Sequence, residues 1–162
     1  GSAQAEGIVQ KDILGLFRPV EGWRGVAGVA AVPGKKELNA SGEGGIAVNG
    51  IGKAPYLITR EEYGDVRVEL EFMIPAGSNA GIYLMGRYEV QILNSFGVAE
   101  KDYKPSYGGS LYQLKKPDRL VNKRAGEWQS YDIEYHRPRF SASGVLVSPA
   151  RMTVTPLSLT SA

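Results

Sequence analysis

Val66-Arg67-Val68-Glu69-Leu70-Glu71-Phe72-Met73-Ile74 is the stretch that decides the fold class. Apolar residues stand at every second position, with charge between them for most of the run. That is the period of a β-strand with one face buried and the other in water. An amphipathic helix would need its apolar residues three and four positions apart. Tyr63-Gly64-Asp65 leads into the run, and Pro75, which has no N–H to give a sheet ladder, stops it.

The same period recurs downstream. Ile82, Leu84, Tyr88, Val90 and Ile92 form one apolar set, and Gly86-Arg87 within it fits either a continuous strand or the tight turn of a hairpin. Tyr131, Ile133 and Tyr135 alternate with Asp132, Glu134 and His136, and Ala150 to Thr155 reads as a shorter strand. Ile46 to Val48, Tyr56 to Thr59 and Ser110 to Leu114 are weaker candidates. Turn chemistry separates these runs at Gly42-Glu43-Gly44-Gly45, Asn49-Gly50, Pro75 to Asn79, Gly108-Gly109 and Ser141 to Gly144. Gly97 to Ser106, charged and aperiodic, reads as a long surface loop. Trp128, just before the Tyr131 strand, is expected to anchor the core. Strands divided by turns, with no helical stretch between them, predict an all-β sandwich in a single domain.

Composition narrows the functional classes. The 162 residues suffice for one domain with a core, and the formal net charge is +2. The basic pairs Lys35-Lys36, Lys115-Lys116 and Lys123-Arg124 sit beside Gly, Pro or Asn and read as solvated loops, so no nucleic-acid partner is expected. There is no cysteine, which rules out disulfides, thiolate metal sites and cysteine nucleophiles. No apolar run has the roughly 18 residues of a membrane helix, and no membrane partner is expected. Phosphate-loop, dinucleotide and nucleophile-elbow motifs are absent from the sequence. Gly1-Ser2 reads as a cloning scar, and Ala3-Gln4-Ala5 matches the small-x-small pattern near signal-peptide cleavage sites, which points to a secreted or periplasmic protein.

Strand geometry sorts the candidate chemistry. With Ile82, Leu84, Val90 and Ile92 inward, the opposite face carries Asn79, Gly81, Tyr83, Met85, Arg87, Glu89 and Gln91. Aromatic rings cover the apolar faces of sugars, and amide or charged groups bond their hydroxyls, so this row suits carbohydrate. An ordinary solvated sheet surface has a similar composition. Glu89 is the candidate acid or base. Its neighbour two positions on is Gln91, so the usual pair of glycosidase carboxylates would need a partner such as Asp132 or Glu134. His136, the one histidine in the sequence, is the other candidate base. A single histidine among carboxylates is not a metal motif, and neither metal nor cofactor is expected.

Several segments taken together resemble a known family. They are Tyr56-Leu57-Ile58-Thr59-Arg60-Glu61-Glu62-Tyr63-Gly64-Asp65, Asn79-Ala80-Gly81-Ile82-Tyr83-Leu84, Arg87-Tyr88-Glu89-Val90-Gln91-Ile92-Leu93-Asn94-Ser95 and Gly126-Glu127-Trp128-Gln129-Ser130-Tyr131-Asp132-Ile133, with Phe17 and Gly22-Trp23 before them. In this order they are similar to the 3-keto-disaccharide hydrolase family. The resemblance implies a concanavalin A-like jelly-roll β-sandwich, export from the cytoplasm, and hydrolase or lyase-type cleavage of 3-keto-glycosides. A non-catalytic carbohydrate-binding module of the same fold is the alternative. The resemblance also implies that Arg87, Glu89 and Gln91 line the concave site with Asn79 and Tyr83 beside them, Glu89 being catalytic and the others contacting substrate. His136, the other candidate catalytic residue, lies where the family has variable polar residues. Met85 stands where an arginine is common in the family.

The domain plan that follows has a scar and unordered start at 1–7, a sandwich at 8–155 and a divergent or truncated tail at 156–162. Relatives usually continue with a further hairpin and strand. A sheet edge left incomplete there is expected to draw two copies together into a homo-oligomer, since Pro156 cannot extend a ladder.

Overall fold

The computed structural model describes residues 13–49 and 54–157, and no α-helix occurs among them. The chain forms two compact units, one made of residues up to Ala30 with Asn39–Glu62, the other of Ala31–Leu38 with everything from Tyr63 onward. In the first, a 3-10 turn (Ile13–Leu16) precedes β1 (Phe17–Arg18), which pairs antiparallel with β4 (Ile58–Thr59). The long strands β2 (Trp23–Ala31) and β3 (Leu38–Asn49) pair with each other. Gly42 to Gly45, read from the sequence as a turn, lies inside β3 instead. The reason is close approach: a Cβ on Gly44 would stand 2.8 Å from the Ala27 Cα and the Val26 carbonyl of β2. Trp23 Nε1 donates to the Pro55 carbonyl at 2.9 Å and ties down the segment before β4.

The second unit is a two-layer β-sandwich. One layer is antiparallel, with β8 (Gln129–His136) between β5 (Val66–Phe72) and β11 (Arg151–Leu157). The other is the hairpin of β6 (Asn79–Leu84) and β7 (Tyr88–Leu93). They meet in one core of Ile74, Leu84, Val90, Ile92, Tyr131, Ile133 and Tyr135, flanked by Val66, Val68, Leu70, Phe72, Ile82, Met152 and Val154. The period-two runs therefore bury the faces their patterns predict. Phe72 meets Tyr131 edge-on, with ring centroids 4.7 Å apart, the arrangement aromatic quadrupoles prefer. Two short strands, β9 (Arg139–Phe140) and β10 (Leu146–Ser148), pair with each other between β8 and β11.

The open alternative at Gly86-Arg87 resolves as a hairpin. Met85 and Gly86 have φ of 56° and 60°, and Arg87 N donates to the Leu84 carbonyl at 3.1 Å. Two consecutive left-handed residues give the twist that joins antiparallel strands, and glycine takes its place without a Cβ penalty. The Ser110–Leu114 candidate is not a full strand. It makes one bridge, Val90↔Leu111, flanked by Gln91 N to Ser110 O at 2.9 Å and Tyr112 N to Glu89 O at 2.8 Å. The loop before it is more ordered than its composition suggests. Tyr103 is buried, its hydroxyl donates to the Gly108 carbonyl at 2.6 Å, and the Asn122 side-chain amide bonds that same hydroxyl.

Two further expectations need correction. Trp128 is 36% exposed and stands outside the core cluster. Position 128 precedes β8 and has the parity opposite to the inward Tyr131, Ile133 and Tyr135, so the residue lies at the margin of the core, partly exposed. The last strand also does not stop at Thr155. β11 continues with Pro156 opposite Tyr131 and Leu157 opposite Ser130. A proline fits there because β11 is an edge strand among the described residues, with one side needing no ladder partner. The scar, the Ala3-Gln4-Ala5 motif, Gly50 and 158–162 lie outside the described residues.

Candidate functional site

The outward face of β6–β7 is built by register. Tyr83 lies opposite Glu89 and Gly81 opposite Gln91. The Val90↔Leu111 bridge then places Tyr112 opposite Glu89 on the other side and Ser110 opposite Gln91. Residues directly opposite in a sheet project to the same face. The result is a transverse row, Tyr83–Glu89–Tyr112, in which an acid stands between two exposed tyrosines. At the usual strand spacing the two aromatic positions are about 10 Å apart, roughly the span of two linked sugar rings. Tyr112 was not among the residues singled out from the sequence. Its segment reads only as a weak strand candidate with no stated pairing, and the bridge to β7 is what brings it into the row.

Gly81 makes room for the acid. A Cβ built on Gly81 would sit 2.8 Å from Glu89 Cγ and 2.9 Å from its Cδ. The Glu89 side chain therefore lies flat over the glycine, half-buried, rather than standing into solvent. Asn79 is exposed two residues before Gly81 on β6.

Gln91 and Arg87 occupy different surroundings. Gln91 is 3% exposed, and its Nε2 donates to the Ser106 carbonyl at 3.0 Å while its Oε1 has no protein partner. Its backbone accepts from Gly109 N at 2.9 Å and from the Tyr131 hydroxyl at 3.0 Å. Gln91 thus supports the 103–112 loop beneath the face and is not presented at the surface. Arg87 belongs to the hairpin turn beyond the strand face, its guanidinium 5.8 Å from the Tyr88 ring centroid.

His136 lies on the other side of the sandwich. It shares the outward face of β8 with Asp132 and Glu134, behind the core that separates the layers. His136 Nε2 is 2.8 Å from Glu134 Oε1 and Nδ1 is 3.4 Å from Asp65 Oδ2. Asp132 is held in a two-pronged pair by Arg67, at 3.0 and 2.7 Å. The structure therefore brings Glu89 together with Tyr83, Gly81 and Tyr112, and it does not bring His136, Asp132 or Glu134 to that face. Among the described residues no group of three or more His, Asp or Glu side chains is arranged so that it could hold a metal ion.

Asp65 is the hub of the outer cluster. It accepts from Arg139 at 2.5 Å and from Arg137 N at 2.9 Å, and the Arg139 bond first, then the Arg137 amide, hold its carboxyl down to about 2 from 3.8. A depressed carboxylate stabilises the fold at pH values above its unfolded pKa, and that contribution disappears as pH falls through the folded one. Thermal melts should therefore lose Asp65-dependent stability between pH 3.8 and about 2. The Asp65→Asn variant should show a flatter acid limb over that window. Identical limbs would place the acid sensitivity elsewhere, Asp132 being the next candidate because Arg67 depresses it too.

With this geometry in place, comparison with known proteins identifies the fold's relatives. Residues 18–154 match the 3-keto-alpha-glucoside-1,2-lyase-like domain. The chain belongs to that family. Among solved structures it is similar to a Parabacteroides distasonis ATCC 8503 protein described as a "putative glycosyl hydrolase", at 29% sequence identity and a TM-score of 0.53. That similarity covers 60% of this chain and 44% of the other, so the chain spans less than half of its neighbour's length. No match was found among curated proteins.

Proposed function

We propose that the Tyr83–Glu89–Tyr112 face binds and cleaves 3-keto-glycosides, with Glu89 as the base. The observation that carries this reading is the in-register placement of one carboxylate between two exposed aromatic rings. Family membership and the glycosyl hydrolase description of the structural neighbour support a carbohydrate-related role. A ketone at C3 acidifies the hydrogen on C2. A carboxylate that removes this proton leaves an enolate, which collapses to a C1=C2 double bond with the C3 ketone restored and expels the C1 oxygen substituent. The protonated carboxyl returns its proton to that oxygen to give the alcohol. Water added across that double bond then completes a net hydrolysis. This route needs one base above the C2 hydrogen, not two carboxylates astride the glycosidic bond. The lone Glu89 on this face is consistent with it. In this reading Gln91 is a positioning residue that holds the 103–112 loop, and Asn79 and Arg87 meet the sugar at the ends of the face.

The alternative is a non-catalytic carbohydrate-binding module. It is favoured by the absence of a second carboxylate from the β6, β7 and 109–112 face. Incubation with a 3-keto-disaccharide separates the two readings, since release of free sugar marks the enzyme and retention without turnover marks the module. Tyr112→Ala should raise KM or Kd about 10-fold or more, with Tyr112→Phe close to the parent, because the stacking surface is what matters. Unchanged sugar affinity in the alanine variant would remove Tyr112 from the site.

A further inference from the structure

Past Val66↔Tyr135, the end of the β5 ladder, the β8–β11 hairpin continues without a flanking strand. Its extension is the two-stranded ribbon β9–β10, closed by Ser141 to Gly144. Phe140, Val145, Leu146 and Val147 on this ribbon are 59, 63, 53 and 68% exposed. Phe140 and Leu146 are register partners and share a face, and Val147 is the extra residue of a bulge between the Leu146 and Ser148 pairings. All four side chains are more than half exposed to water. From Phe140 to Ser148 there is neither charge nor proline, the usual guards of a free strand edge.

Charge collects at the base instead. Arg137, Arg139 and Arg151 bracket the ribbon, with no carboxylate between 137 and 151. Asp65 offsets Arg139, and Glu134 faces His136. The Arg137 guanidinium runs beside Gly64, about 3.5 Å from where a Cβ there would stand.

We propose that the β9–β10 ribbon docks this protein on an anionic lipid surface, its apolar tip among the acyl chains and its arginines at the phosphates. The dimensions agree. At about 3.3 Å per strand residue the turn reaches roughly 10 Å beyond Arg139, the depth to which interfacial elements insert. Basic residues at headgroup level add attraction to an anionic leaflet and none to a neutral one. A second copy is a poorer occupant, because four side chains fall well short of the ~1,200 Å² that stable protein pairs bury. No helix among the described residues is long and apolar enough to cross a membrane. The sequence reading expected no membrane partner, and it is the exposure of Val145 to Val147 that changes this.

Co-sedimentation with phosphatidylcholine vesicles, with and without about 30 mol% phosphatidylglycerol, tests the proposal. The parent should bind the anionic vesicles at least 10-fold more strongly than the neutral ones, and added salt should weaken binding. Val145→Ser/Leu146→Ser/Val147→Ser should abolish it, and Arg137→Gln/Arg151→Gln should weaken it several-fold. The single Val147→Asp change, at a position 68% exposed, guards against misfolding of the triple variant and should also lose binding. No binding to anionic vesicles, or equal binding by Val147→Asp, overturns the proposal. So does a dimer in light scattering that the serine substitutions dissolve, since the ribbon is then an interface between copies.

Discussion

Turnover of a 3-keto-disaccharide should fall about 100-fold or more when Glu89 is replaced by glutamine, the usual scale for loss of a general base. The amide keeps the shape and the resting place over Gly81, so binding should persist while kcat collapses. Gly81→Ala reaches the same group from below. A methyl there collides with Glu89 Cγ and Cδ, the flexible end of a side chain, so the carboxylate must move while the fold stays intact. Both variants should melt near the parent temperature and both should be slow. If Glu89→Gln turns over like the parent, Glu89 is not the base. Since His136 stands behind the core, the chemistry would then have to move to the opposite face of the sandwich.

Ile133→Ala should destabilise the protein by about 2–5 kcal/mol, because a fully buried side chain at the centre of β8 leaves a cavity against both neighbouring strands. Trp128→Ala should cost less, about 1–2 kcal/mol, despite deleting a larger ring, since the residue is 36% exposed and stands outside the core cluster. Chemical denaturation of the two variants measures the contrast directly. A larger loss from Trp128 than from Ile133 would contradict the inward and outward phases assigned to β8.

The phases of the long strands were readable from the sequence because each side chain's face follows from simple alternation. Val66 to Phe72 and Tyr131 to Tyr135 carry that pattern in plain view, and their burial matches it. Trp128 shows the same rule being overridden by a preference for burying tryptophan, when its parity already indicated solvent. Glycines mislead in a different way. Gly42 to Gly45 look like a turn, yet they are needed where two backbones run too close for a Cβ, a fact that belongs to the pairing of β2 with β3 and not to either strand. For the site, Glu89, Tyr83 and Gly81 could be placed on one face by counting along two neighbouring strands. Tyr112 could not, because a single bridge from a loop supplies it. Gln91 shares Glu89's parity yet lies buried, since the loop that covers it folds back from residues well downstream.

The hydroxyl of Tyr131 crosses the interior from one layer and bonds the Gln91 carbonyl in the other, 3.0 Å away. That oxygen also receives the amide of Gly109, from the segment that carries Tyr112. One strut thus fastens the strand bearing Glu89 and the loop bearing Tyr112 to the middle of the far sheet. Its phenol is pushed towards higher pKa by burial, so the proton that makes the bond stays in place across the ordinary pH range. Local breathing of that face is thereby tied to opening of the interior beneath it. The Tyr83–Glu89–Tyr112 row mounted in this way keeps its spacing until the domain itself comes apart.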